Sequence, residues 1–94
     1  MEPLAPDRVR TALEALPDWE FDGRALRREL RLTDFRSAID LIVRIAELAE
    51  AADHHPELTN VHARLSIVLS THEAGGVTDR DLELARGIDA LVAG

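Results

Sequence analysis

Apolar positions along the chain change period several times, and each change marks an element. Val9, Ala12, Leu13 and Leu16 recur at helical spacing between Pro6 and Pro17, which predicts a short amphipathic helix over about residues 6–16. Pro6 suits a first helical turn, and Asp7 suits its positive end. From Trp19 onward the period becomes two: Leu26, Arg28, Leu30 and Leu32 alternate with Arg27, Glu29 and Arg31. Asp22-Gly23 can supply the positive φ angles of a two-residue turn, so a hairpin over 19–32 is predicted. Arg28 is the one polar residue in its apolar stripe. Thr33 or Asp34 then caps the longest helix, about 34–53, with an apolar face of Phe35, Ala38, Ile39, Ile42, Ile45, Ala46, Ala49 and Ala52. Pro56 ends this helix, and His55, because it precedes a proline, is expected to be extended.

Beyond Pro56 the chain is strand-like from Leu58 to Thr71, with Val61, Ala63, Leu65, Ile67 and Leu69 on one face of a continuous strand. No Gly or Pro interrupts it, so periodicity alone predicts one long strand. Ala74-Gly-Gly76 forms a loop, and Thr78-Asp-Arg-Asp81 reads as a capping box opening a last helix. Leu84, Ile88 and Leu91, flanked by Leu82, Ala85 and Val92, give that helix its apolar side. Helices alternate with antiparallel β segments, which is the pattern of an α+β domain whose sheet is covered on one face. Ninety-four residues suit a single domain, 1–94.

Charge narrows the partners. A net charge of −7 and the absence of a basic stripe argue against binding nucleic acid phosphates. Cysteine and tyrosine are absent, and all eleven basic residues are arginine, which removes thiolate, Schiff-base and P-loop lysine chemistry. Proton transfer is left to His, Asp and Glu. No apolar run approaches the ~18 residues of a membrane span, and the first residues do not read as a secretory signal. A cytoplasmic location is expected.

The candidate chemistry concentrates in Glu50-Ala-Ala-Asp-His-His-Pro56 and Ser70-Thr-His-Glu-Ala-Gly-Gly76. Glu50 and His54 stand four apart on a predicted helix, and a carboxylate there favours a protonated imidazole able to donate a proton. His55 points elsewhere and can reach the same ligand from another side. His72 ends a strand and opens a glycine-rich loop, a common setting for catalytic residues. It can join the first cluster only if the chain reverses once between them, against the one-strand reading. His62 reads as a structural or surface residue, and Asp81 as the capping-box acid. Trp19 is a core anchor or one wall of a pocket for a flat ring. Metal binding is the weaker reading, because adjacent histidine side chains diverge and no His-x3-His pair is present.

The paired motifs, Glu50-x3-His54-His55-Pro56 and Thr71-His72-Glu73-Ala-Gly-Gly76-Val77-Thr78-Asp-Arg-Asp81, resemble those of the pterin-4a-carbinolamine dehydratase family. Trp19, Asp22-Gly23-Arg24 and Asp34-Phe35 match its layout, so the resemblance covers about residues 9–91. It implies a four-stranded antiparallel sheet with three helices on one face in the order α-β-β-α-β-β-α, and hence a break near Ala63-Arg64. It implies loss of water from a 4a-hydroxytetrahydropterin to give quinonoid dihydropterin, in tetrahydropterin recycling, with no metal or organic cofactor. It also implies homodimers or homotetramers built through sheet and helix contacts. Carried over by position, His54, His55 and His72 are the active-site histidines; Glu50, Trp19, Asp81 and Thr71 are the expected substrate contacts. Leu58 and His62 depart from the family pattern, at positions that bear on substrate fit more than on chemistry. Animal members of the family also serve as dimerisation partners of a homeodomain transcription factor, which keeps open a non-catalytic interaction module on the same fold.

Overall fold

The computed structural model describes residues 1–94, from Met1 to Gly94. In chain order it has α1 (Pro6–Ala12), continued by a 3-10 turn (Leu13–Ala15), then β1 (Glu20–Phe21), β2 (Leu26–Arg31) and α2 (Phe35–Ala52). β3 (Glu57–Val61), β4 (Arg64–Leu69), a second 3-10 turn (His72–Ala74) and α3 (Asp79–Ala93) follow. The four strands form one antiparallel sheet in the order β1-β2-β4-β3. The expected α+β architecture is therefore present. The first helix is tighter at its end than its spacing predicts, changing to 3-10 geometry at Leu13.

Inward side chains of β2 and β4 build the floor of the core. Leu26, Leu65, Ile67 and Leu69 are all at most 1% exposed and face Ile45 of α2 and Leu84, Ala85 and Ile88 of α3. Each fully buried Leu or Ile contributes ~1.5–3 kcal/mol of transfer free energy. α2 buries Ala38, Leu41, Ile45 and Ala49. This stripe is rotated from the predicted face, since Ala46 and Ala52 are exposed and Phe35 is 58% exposed, while Leu41 is buried. Alanine carries little burial energy, so the leucines decide which side turns inward. α2 and α3 approach closely at Gly87, where a Cβ would lie 2.8 Å from Leu48 Cδ2.

Two connections differ from their predictions. The β1–β2 link is four residues, Asp22–Ala25, since Phe21 pairs with Leu26. It is held by Asp22, whose Oδ1 accepts from the N–H groups of Arg24 (2.9 Å) and Ala25 (2.8 Å), with Gly23 at φ 97°. The run from Leu58 to Thr71 is not one strand. It folds into a β3–β4 hairpin turning at His62-Ala63, with Val61 opposite Arg64. Asn60 replaces the missing glycine signal: its Nδ2 donates to the carbonyls of His62 (3.1 Å) and Arg64 (2.8 Å). Val61 accordingly faces outward, 44% exposed, and not into the core with Leu65.

His62 itself sits at φ 54°, in the left-handed region that costs most L-residues ~1–2 kcal/mol. Replacing it by glycine removes that cost against a glycine entropy penalty of ~0.5–1 kcal/mol. His62→Gly is expected to raise the urea midpoint slightly, and a midpoint lowered by the substitution would show that the ring makes a stabilising contact. No helix is long and apolar enough to cross a membrane.

Candidate active site

Helix α2 ends in a Schellman-type turn. Asp53 adopts the left-handed region (φ 50°, ψ 43°), and the His54 N–H reaches back to the Ala49 carbonyl at 3.1 Å. Aspartate is among the few non-glycine residues that visit this conformation readily. The helix thus stops three residues before Pro56, through Asp53 and not through the proline. The left-handed step also sends the two histidines in different directions. His54 turns inward, 8% exposed, and His55 turns outward with a 62% exposed side chain.

That divergence changes the expected partner of Glu50. Its Oε2 meets His55 Nε2 at 2.6 Å, not His54. The four-residue helical relation to His54 is lost because His54 lies beyond the left-handed residue, outside the helix. The Glu50–His55 pair is exposed on both sides, a setting worth ~0–1 kcal/mol.

His54 meets Asp81, Nε2 to Oδ1 at 2.5 Å. Asp81 is 0% exposed, and its other oxygen accepts from the Thr71 hydroxyl (2.8 Å) and the Thr78 N–H (2.9 Å). The last of these bonds is half of the predicted capping box at the start of α3. Thr71 spends its only proton on Asp81, so it accepts from the Thr78 hydroxyl at 2.7 Å. Thr78 Oγ1 in turn accepts from the Arg80 N–H at 3.3 Å. Every donor therefore points towards the carboxylate. An ionised Asp81 accepts from His54 Nε2–H, which leaves Nδ1 as the nitrogen free for a ligand.

Sheet register brings the second motif to the first. Val68 pairs with Glu57, and continuing that antiparallel register sets His55 level with Ser70 and His54 level with Thr71. The hairpin turn at His62-Ala63 supplies the chain reversal that a common site needs. His54, His55 and His72 all line one hollow of about 370 Å³, and Asp53, Ser70, Glu73 and Arg80 complete its wall. None of these lining residues is hydrophobic.

The other expected contacts stand elsewhere. Glu50 is held by His55 and lies outside the lining. Thr71 and Asp81 sit behind the wall, both 0% exposed, where they orient His54. Trp19 is 3% exposed in the core, its Nε1 donating to Asp89 Oδ1 at 2.7 Å, and so offers no wall to this hollow. Its place follows from the sheet: it precedes β1 and packs beneath α3. Sequence reasoning did not place Asp53, Ser70, Glu73 or Arg80 in the site; the first three lie inside the stretches 50–56 and 70–76, and Arg80 lies outside them. Its Nη2 donates to the Asp53 carbonyl at 2.5 Å and ties the histidine turn to α3. A cation in the first turn of a helix opposes the dipole, and that misfit was the available signal.

No three His, Asp or Glu side chains converge on a point that would hold a metal ion. A larger depression, about 550 Å³, lies on the open face of the sheet around Arg27, Glu29 and Ser66, but it contains no histidine. Chemistry and not size therefore assigns the site.

Fold and hollow together define a small α+β domain with an open, polar pocket rich in proton donors and acceptors. Residues 2–91 match the family described as pterin 4 alpha carbinolamine dehydratase. A relative from Rhizorhabdus wittichii is 46% identical over 93 residues, 97% of this chain and 96% of its own length. One from Burkholderia cenocepacia is 47% identical over 92 residues, 96% and 90% of the two chains. Both are provisionally named pterin-4-alpha-carbinolamine dehydratases. A crystal structure of a "transcriptional coactivator/pterin dehydratase" from Brucella melitensis superposes with a TM-score of 0.90 at 37% identity, covering 96% of this chain and 98% of that one. The chain belongs to the pterin-4a-carbinolamine dehydratase family.

Proposed function

We propose that the chain removes water from a 4a-hydroxytetrahydropterin, giving quinonoid dihydropterin, in the recycling of tetrahydropterin for an aromatic amino acid hydroxylase. The observation that carries this reading is that His54, held from behind by buried Asp81, lines one hollow with His55 and His72. The C4a–O bond breaks as an imidazolium gives its proton to the departing hydroxyl, which leaves as water. A ring N–H gives its proton to a second imidazole, and its electron pair closes the new C=N bond. Protons and electrons balance with no oxidant. General acid–base help of this kind supplies ~10²–10⁴-fold.

His54 suits a role that needs a fixed ring, since Asp81 holds its orientation. His55 and His72 are freer and stand on the open side. The test mixes purified protein with freshly generated 4a-hydroxytetrahydropterin and follows quinonoid product by absorbance. Wild type should exceed the spontaneous rate, and His72→Ala should lose about 10²-fold. A rate no faster than the spontaneous one would end the proposal.

The homo-oligomer that the family resemblance implies is favoured by one feature of α2. Phe35 and Val43 on its outer side are 58% and 53% exposed, with Ala46 beside them. We propose that this face joins copies of the chain into a homo-oligomer, compatible with catalysis. Light scattering should then show a multiple of the 10.4 kDa chain mass, reduced in Val43→Glu. A monomer at micromolar concentration would refute it.

A further inference from the structure

A second hollow, about 360 Å³, lies on the opposite side of the segment by which β4 leaves the sheet. Ser70 and His72 line both hollows and form the ridge between them. Arg24 and Arg27 border the second one, together with Asp22 and the side-chain-free backbone of Gly75 and Gly76. Register explains the placement. Leu26 pairs with Leu69, so the Asp22–Ala25 turn meets the Ser70–His72 segment from the β2 side, as the His54-His55 turn does from the β3 side. The two sides of one strand are ~10 Å apart, about the length of a bicyclic ring with a short substituent.

Two guanidinium groups border the hollow, and its one carboxylate is already committed. Both Asp22 oxygens are occupied, Oδ1 by the Arg24 and Ala25 N–H groups and Oδ2 by Arg27 Nε at 2.8 Å. These bonds hold the Asp22 carboxyl down at about 2, with the Arg27 bond the largest cause, so it stays ionised and fixed. Arg27 is thereby oriented with its two terminal nitrogens uncommitted, although Asp22 and Glu57 offset its charge. Arg24 has no carboxylate partner, and its guanidinium is the uncompensated charge here. Ser70 adds a hydroxyl. Guanidinium groups with free N–H donors are suited to carboxylate or phosphate oxygens.

We propose that this hollow is the subsite for an anionic C6 substituent of the pterin, a phosphate or carboxylate bound by Arg24 and Arg27. The proposal rests on the dehydratase reading above and names its substrate class. Geometry links the two hollows: C4a, where water is lost, lies two bonds from C6. A histidine acting at C4a therefore stands beside the root of the substituent, and His72 is the residue shared by both hollows.

The test compares equilibrium binding of 6-hydroxymethylpterin, its phosphate ester and pterin-6-carboxylate, read by quenching of pterin fluorescence. The phosphate ester or the carboxylate should bind about tenfold more tightly than the neutral pterin at low salt. Which of them gains more tells phosphate from carboxylate recognition. The advantage should shrink as salt rises. In Arg24→Ala the ratio of charged to neutral affinity should fall to near one, and in Arg24→Glu it should invert. Arg24 makes no side-chain bond in the fold, so these variants are expected to fold. Equal affinity for charged and neutral pterins, with dehydration of the neutral carbinolamine intact, would overturn this inference alone. Failure of every pterin to bind would overturn the dehydratase reading with it.

Discussion

Asp81→Asn is expected to lower kcat by about 10³-fold while the protein stays folded. The native carboxylate accepts at both oxygens, from His54 on one side and from Thr71 and Thr78 on the other. Asparagine has one accepting oxygen and one donating nitrogen. If its oxygen serves the two threonines, the capping box survives and its NH₂ faces His54 Nε2. The ring must then accept at Nε2 and carry its proton on Nδ1, the nitrogen that Asp81 does not hold. The opposite arrangement sets NH₂ against the Thr78 N–H and leaves buried donors facing each other, a penalty of ~1–3 kcal/mol. The first is the cheaper state, and in it Nδ1 carries a proton where the native ring offers a lone pair, the wrong tautomer if His54 is the base of the proposed reaction. Product formation followed by absorbance, with circular dichroism to check folding, decides the matter. A kcat within tenfold of wild type would show that Asp81 serves only the helix cap.

The largest loss of stability is expected at Asp89. This carboxylate, from α3, accepts from Trp19 Nε1 and is paired with Arg28 Nη1 of β2. The Arg28 side chain is only 10% exposed, its Nε has no partner, and the other nearby carboxylate, Asp18, stands 3.5 Å away on the surface. Asp89→Ala strands a buried guanidinium and an indole N–H, which should cost about 3 kcal/mol in urea unfolding. Replacing both charges is a different experiment. Arg28 occupies an inward position between Leu26 and Leu30, so Arg28→Met with Asp89→Ala turns a buried ion pair into apolar contact. The double variant should be more stable than Asp89→Ala alone. If it is no more stable, the cost lies in lost packing around Trp19 and not in the stranded charge.

These two sites show where sequence was informative. Arg28 broke the apolar stripe of β2, and the side chain does face inward, but its partner sits 61 residues away on α3. The capping box Thr78–Asp81 was legible because both halves of it are local. Its second use was hidden, because it depends on His54 turning inward, and that follows from a single left-handed residue, Asp53. The same cause exchanged the partner of Glu50. The β3–β4 turn was illegible for a related reason: its chain reversal rests on the Asn60 amide and a left-handed His62, with no glycine or proline to announce it. On α2 the apolar stripe was misphased because alanines at 46 and 52 counted as much as the leucine at 41. Where interactions are local and periodic, the chain declares its fold; where one backbone torsion or one distant carboxylate decides, it does not.

Asp81 has one further consequence, for reading relatives of this chain. The same carboxylate starts α3 and anchors the histidine, so the fold by itself asks for an acceptor at this place, which asparagine also provides. A lineage that kept the domain only as a docking scaffold would be free to lose the imidazole at position 54 while still needing an aspartate or asparagine at position 81. Under the dehydratase reading proposed above, an acceptor at this place therefore reports the fold, and the histidine opposite it reports the chemistry.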